Sequence, residues 1–102
     1  MAATCEAFVL AKKLGLDLQT FLDISSKASG QSWSMTSYAP VPGVGPDTPA
    51  DHDYEGGFAA ALMLKDLKLA MDAAKSVDAY TPMGGEAEEL FQRFVDLGGG
   101  AK

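Results

Sequence analysis

The chain is expected to be all-α, and three observations predict it. No segment sustains the period-two alternation and β-branched enrichment of a half-buried strand. Apolar residues recur instead at helical spacing, and the gaps between them carry helix-stop and helix-start residues: Gly15 before Asp17, Ser29-Gly30, Thr81-Pro82 and Gly98-Gly99-Gly100. Length sets the third bound. A chain of 102 residues supports one modest core, so a single helical domain spanning residues 1–102 is expected.

Four main helices account for the pattern. The first runs from Ala2 to Leu14, with Cys5, Phe8, Val9 and Leu10 as its apolar side and Gly15 in a C-cap role. Asp17 restarts the chain, because its carboxylate can accept from the free amides of a second helix over Leu18–Ala28. Leu18, Phe21, Leu22 and Ile24 fall on the inner face of that helix. After Ser29-Gly30 comes a short turn or helix carrying Trp33 and Tyr38. From Pro40 to Asp53 four prolines and two glycines oppose regular hydrogen bonding, so an ordered loop is expected. The third helix, Ala59–Val77, would be ~28 Å long at 1.5 Å per residue. Its expected core stripe is Met63, Leu67, Ala70, Ala74 and Val77, with Lys65, Lys68 and Asp72 on another side. Thr81 is placed to cap the last helix, Pro82 to begin it, and Ala87, Leu90, Phe91, Phe94 and Val95 to form its buried face. No internal repeat or interdomain linker is visible.

Composition narrows the function. The chain is 47% hydrophobic and 22% charged, as suits a globular protein better than a disordered one. A formal net charge of −6 without a Lys/Arg cluster opposes nucleic-acid binding. The longest apolar run is far short of the roughly 18 residues that span a bilayer, so no membrane partner is expected. A soluble, cytoplasmic-type chain follows, with a transit peptide on a longer precursor left open. The single Cys5 has no internal disulfide partner and reads as a buried, inert thiol.

Several constellations fail on their own chemistry. Asp51, Asp53, Glu55 and Gly56 imitate the opening of a calcium loop, but Leu62 stands where the closing glutamate belongs. His52 has no second histidine or cysteine beside it, so a solvated acidic loop is expected there and no metal site. The three terminal glycines end a helix and so offer no cradle of helix N-terminal amides for phosphate. The serines between Ser25 and Ser34 form no nucleophile elbow.

What survives is Phe58, Lys65, Asp66, Trp33 and Tyr38. Lys65 and Asp66 stand side by side within an apolar helical pattern, which is rare without a partner or a ligand. Adjacent helical residues point about 100° apart and do not face each other as an i, i+4 pair does. A structural salt bridge and a ligand contact both remain open. Phe58, seven residues before Lys65, is placed two turns along the same face, where a ring and an ammonium would line one cleft for a flat group and an anion. Trp33 and Tyr38 are either core aromatics or amphipathic rings presented to a ligand from a Ser/Thr-rich turn.

Nearly the whole chain resembles the C-terminal helical domain of the 3-hydroxyisobutyrate dehydrogenase family, the β-hydroxyacid dehydrogenases. The resemblance is carried by Glu6-Ala7, Gly15-Leu16-Asp17, Ser29-Gly30, Trp33, Tyr38, Pro40-Val41-Pro42-Gly43-Val44, Gly57-Phe58, Lys65-Asp66-Leu67 and Leu69-Ala70, all in family order. Each motif is weak alone; the ordered set is specific. The Tyr and Pro-Val-Pro-Gly-Val portion resembles the 3-hydroxyisobutyrate branch more than the tartronate semialdehyde reductase branch. A serine or other 3-hydroxyacid dehydrogenase would fit about as well.

The resemblance implies a helical domain of the 6-phosphogluconate dehydrogenase C-terminal type, truncated at both ends, that closes over substrate and dimerises. It implies reversible oxidation of a small 3-hydroxyacid to its semialdehyde in the parent enzyme, with NAD or NADP as cofactor. By the same resemblance Lys65 and Phe58 contact the cofactor, while Trp33, Tyr38 and Asp66 shape the substrate pocket. The departures are as specific. No G-x-G-x-x-G follows a strand, so the Rossmann domain is absent from these residues. Position counting puts the family's general acid/base lysine before Met1, and no catalytic residue is assigned within the chain. Alone, the chain is expected to bind neither cofactor tightly, to be inactive, and to form a homodimer or higher assembly. A helical interaction module that has lost its chemistry is the alternative.

Overall fold

The computed structural model describes residues 1–102, and every regular element among them is helical. The all-α expectation holds. Five α-helices follow in order: α1 (Ala2–Lys13), α2 (Leu18–Ser25), α3 (Trp33–Thr36), α4 (Ala60–Ser76) and α5 (Pro82–Phe94). A 3-10 turn occupies Pro49–His52, and a π-type turn follows α5 over Val95–Gly99. Where the length suggested one core, the chain divides into two compact units, Met1–Glu55 and Gly56–Lys102.

In the first unit, α1 ends as its sequence dictates. Gly15 takes a left-handed φ of +80°, its amide donates to the Lys12 carbonyl, and the Leu16 amide donates to that of Ala11. These two bonds make a Schellman cap. Asp17 then caps α2 as expected, accepting from the Thr20 amide at 2.9 Å and the Thr20 hydroxyl at 2.8 Å. Those bonds, the amide's first, hold the Asp17 carboxyl below its ordinary value. The helix stops at Ser25, three residues before the expected end, because the amides of Lys27 and Ala28 turn back to the carbonyls three residues before them. The Ser26 hydroxyl also bonds the Asp23 carbonyl, competing with the helical ladder.

Phe8, Leu22, Met35, Ala39 and Val44 form the core of this unit, with Leu18, Phe21 and Val41 packed on it. Phe8 meets Phe21 edge to face at 5.2 Å. The inward stripe of α1 is Thr4, Phe8 and Ala11, so the expected Val9 and Leu10 are exposed. Ile24 is exposed as well. Cys5 is half-buried, and burial pushes its thiol above the ordinary value. The proline-rich stretch is ordered against the core: Gly45 has φ +71°, and a Cβ there would stand 2.6 Å from Leu22 Cδ2, so only glycine fits. Its amide donates to Gln19 Oε1 at 2.8 Å.

The second unit is a helical hairpin of α4 and α5 followed by the π-type turn. Asp78, at φ 53°, closes α4 by the same two-bond cap that Gly15 gives α1. Pro82 begins α5 as expected, but Thr81 does not cap it with its side chain; the hydroxyl turns to Met71 Sδ at 3.6 Å. The first amides of α4 are satisfied from the far end of the unit, Ala60 by the Lys102 carbonyl at 2.8 Å and Ala61 by that of Gly100 at 2.9 Å. Ala60 and Leu64 are buried, and Met63, Leu67, Met71 and Ala74 extend that stripe half-buried. The expected Ala70 and Val77 are exposed, as are Leu90 and Phe94 of α5. No helix is long and apolar enough to cross a membrane.

Candidate functional site

The candidate residues of the first unit sit where α3 meets the following loop. Ser32, in extended conformation, caps α3 by accepting from the Met35 amide at 3.3 Å. The single turn this starts buries Met35 in the core and leaves Trp33 at the rim, 67% exposed. Trp33 stacks on Tyr38 with centroids 5.3 Å apart and planes inclined by 22°. The structure therefore brings these two predicted residues together as one aromatic surface. Of the two roles left open for Trp33, the core aromatic is excluded by its exposure.

Behind the pair lies the loop that the sequence marked as irregular. Asp51 Oδ1 accepts from the Gly43 amide at 2.6 Å, and Oδ2 accepts from the Thr48 amide at 3.0 Å. These two bonds, that of Gly43 first, hold the Asp51 carboxyl below its ordinary value. Thr48 is buried and its hydroxyl donates to the Ala39 carbonyl at 3.0 Å. The Tyr54 hydroxyl donates to the Pro40 carbonyl at 2.9 Å. His52 Nε2 stands 3.0 Å from both carboxylate oxygens of Asp47, and that contact raises the imidazole above its ordinary value. His52 is exposed as expected, and no three His, Cys, Asp or Glu side chains are grouped to hold a metal ion.

The solvated acidic loop is thus partly wrong. Asp51 works as an internal clasp, and the sequence did signal it: Thr48-Pro49-Ala50-Asp51 has the spacing of a capping box with proline at the first helical position. Tyr54 gave no comparable signal, since its role depends on a residue fourteen positions earlier.

In the second unit, Lys65 and Asp66 are both exposed on α4, beside the buried Leu64. Neither enters a salt bridge, with the other or with any other residue. The structural ion pair that the sequence left open is therefore not formed. Phe58 does not share a helical face with Lys65, which corrects the expectation of a two-turn alignment. It lies in a bend before α4, following Gly56 at φ +80° and Gly57 at φ +68°, and is 47% exposed. The Gly-Gly turn and the extended Ala59 put the ring outside the helical repeat. A separate open groove of about 660 Å³ runs between α4 and α5 beside Met71, Ala74, Thr81 and Arg93, and contains none of the predicted residues.

Comparison with known proteins gives this arrangement its kinship. A probable 3-hydroxyisobutyrate dehydrogenase of Mycobacterium tuberculosis is 46% identical over 93 residues, which are 91% of this chain and 32% of that protein. An NAD-dependent L-serine dehydrogenase of Pseudomonas aeruginosa is 41% identical over 98 residues, covering 96% of this chain and 33% of that one. The solved structure of the M. tuberculosis 3-hydroxyisobutyrate dehydrogenase with L-serine superimposes with a TM-score of 0.93 at 42% identity, over 99% of this chain and 35% of that chain. The chain thus spans about a third of the length of the curated relatives it matches. Residues 1–102 match throughout the family described as NAD-binding of NADP-dependent 3-hydroxyisobutyrate dehydrogenase, and to that family of NAD(P)-dependent dehydrogenases the chain belongs.

Proposed function

We propose that this chain is the helical part of an NAD(P)-dependent dehydrogenase that oxidises a small 3-hydroxyacid to its semialdehyde. The observation that carries the reading is Lys65, an exposed ammonium with no carboxylate partner, in a chain that matches a dehydrogenase family from end to end. An ammonium left without an internal counter-ion is available to an anion, either a cofactor phosphate or a substrate carboxylate. The exposed ring of Phe58 supplies an apolar surface for a flat group, and the Trp33–Tyr38 stack supplies a wall for a short substrate. Asp66 shapes the substrate pocket in the same reading. The nicotinamide, when bound, supplies the two-electron acceptor. The residues named here bind and orient; the base that takes the hydroxyl proton and the dinucleotide-binding fold belong, in this reading, to the rest of a longer polypeptide.

The relatives support the substrate class. One carries L-serine in its name and another was solved with L-serine, and L-serine shares with 3-hydroxyisobutyrate a carboxylate and a primary alcohol on the third carbon. A short acid with that pair of groups is the proposed substrate. Association into a homodimer, in a soluble compartment, belongs to the same reading.

The test is Lys65→Ala in the full-length enzyme. Loss of one contact to a charged group predicts a roughly ten- to hundred-fold fall in kcat/KM, with little change in thermal stability. A large stability loss with near-normal turnover would refute the assignment.

A further inference from the structure

The Trp33–Tyr38 stack stands at the end of a single helical turn. Trp33 opens a helix of one turn, and Tyr38 lies beyond the end of that helix, two residues before Pro40, which has no amide to donate. The backbone after Tyr38 is held from farther along the chain. The Ala39 carbonyl takes the Thr48 hydroxyl at 3.0 Å, and the Pro40 carbonyl takes the Tyr54 hydroxyl at 2.9 Å. Thr48 is in turn fixed by its own amide, which donates to Asp51, and it is only 4% exposed.

We infer that Thr48 is a positioning residue for the Trp33–Tyr38 surface. Its hydroxyl holds the Ala39–Pro40 peptide, and through the buried Ala39 between them limits where Tyr38 stands against the Trp33 ring. The bond is buried, so removing the donor leaves a carbonyl without a partner, and the segment must shift to reach water. Asp51 and Tyr54, both after Thr48 in sequence, support the same segment, the one through the Thr48 amide and the other through the Pro40 carbonyl. The kinetic consequence rests on the proposed pocket role of the two rings; the structural one does not.

Trp33 is the only tryptophan, so the long-wavelength tryptophan band in near-ultraviolet circular dichroism reports its asymmetric surroundings alone. In the full 102-residue chain, Thr48→Val should collapse that band toward the level of Tyr38→Leu, while Thr48→Ser, which keeps the hydroxyl, should retain it. A wild-type band in folded Thr48→Val, or a lost band in Thr48→Ser, overturns the inference. Where the far-ultraviolet signal shows that Thr48→Val does not fold, Tyr54→Phe decides, since it removes one hydroxyl from a partly exposed ring. A reduced band supports the clasp and an unchanged one overturns it.

In the longer dehydrogenase, Thr48→Val should raise the KM for the 3-hydroxyacid roughly two- to twelve-fold, the scale of one neutral hydrogen bond, and leave cofactor KM unchanged. A collapsed band with unmoved substrate KM refutes the pocket reading and leaves the positioning role standing.

Discussion

The two units solve the problem of burial differently. Met1–Glu55 contains seven of the nine buried apolar residues and ties its loop down with side-chain bonds from Asp51, Thr48 and Tyr54. Gly56–Lys102 buries only Ala60 and Leu64, while Leu69, Met83, Leu90, Phe94 and Leu97 are exposed. The first unit is held together by its own core. The second is a hairpin that leaves large apolar side chains exposed, and the proposal is that they meet a partner, since large exposed apolar patches mark interaction surfaces. It is also the unit that carries Lys65, Asp66 and Phe58. Both units present apolar side chains, Trp33 among them in the first, but only the first also closes a sizeable core of its own.

The sharpest way to break this contrast is to measure association. Met83, Leu90 and Phe94 share a stripe of α5 at spacings of seven and four residues, the geometry of a helix–helix contact. Purified chain is expected to self-associate at micromolar concentration, equivalent to about 8 kcal/mol. Leu90→Glu should abolish this without lowering helix content. Sedimentation showing a clean monomer of the unaltered chain would sink the claim that the second unit is incomplete alone.

The next effect is internal to the first unit. Phe8 is 1% exposed and meets Phe21 edge to face, so Phe8→Ala should destabilise by about 3–5 kcal/mol in thermal or denaturant unfolding. Leu90→Ala, on the exposed stripe, should change stability by less than about 1 kcal/mol under conditions that keep the chain monomeric. Equal losses would erase the difference between the units.

How much of this was legible depended on whether the signal was local. Gly15, Asp17 and Pro82 punctuate the helices where the sequence put them, because caps are decided within a few residues. Buried faces were read less well. On α1 the inward stripe runs through Thr4 and Ala11, a polar and a small residue, so a reading weighted by hydrophobicity preferred Val9 and Leu10 on either flank. On α4 the cause was register: the expected stripe kept a strict four-three spacing from Met63 through Ala70 to Val77, whereas the inward face also takes in Leu64 and Met71. The family motifs located the candidate site, but neither the stacking of Trp33 on Tyr38 nor the bend that lifts Phe58 off the α4 face is encoded by spacing. Both follow from backbone geometry that the spacing of the motif residues does not show.

A smaller effect probes a cap that joins the sequence to the core. Asp17→Ala removes the acceptor for the Thr20 amide and should lower stability modestly, as the loss of an N-cap does. The native carboxyl is held below its ordinary value, so its contribution is present above the unfolded pKa and is lost as pH falls through the folded value. The stability gap between wild type and Asp17→Ala should therefore close on acidification from neutrality. A constant gap would mean that the cap does not depend on the Asp17 charge, and no gap at all that α2 is held by the packing of Leu18, Phe21 and Leu22 alone.

The smallest effect separates the two kinds of tie in the loop. His52 faces Asp47 at 3.0 Å, and the pair is exposed on both sides, whereas Asp51 accepts backbone amides on both of its oxygens. The His52 pKa is raised in the folded chain, so its contribution is full below the unfolded value near 6.5 and is lost as pH rises through the folded value. The Asp51 pKa is lowered, so its contribution is full at neutral pH and is lost only in acid. His52→Gln should then be slightly less stable than wild type in mildly acidic buffer and indistinguishable in alkaline buffer. High salt should remove even the acidic difference, because an exposed ion pair is screened within a Debye length. Asp51→Asn should be destabilised at neutral pH and remain so in salt, since its bonds run to the Gly43 and Thr48 amides. If His52→Gln proved the more disruptive of the two at neutral pH, the loop would be held by its surface charge pair, and the clasp at Asp51 would lose its place in the structure of the first unit.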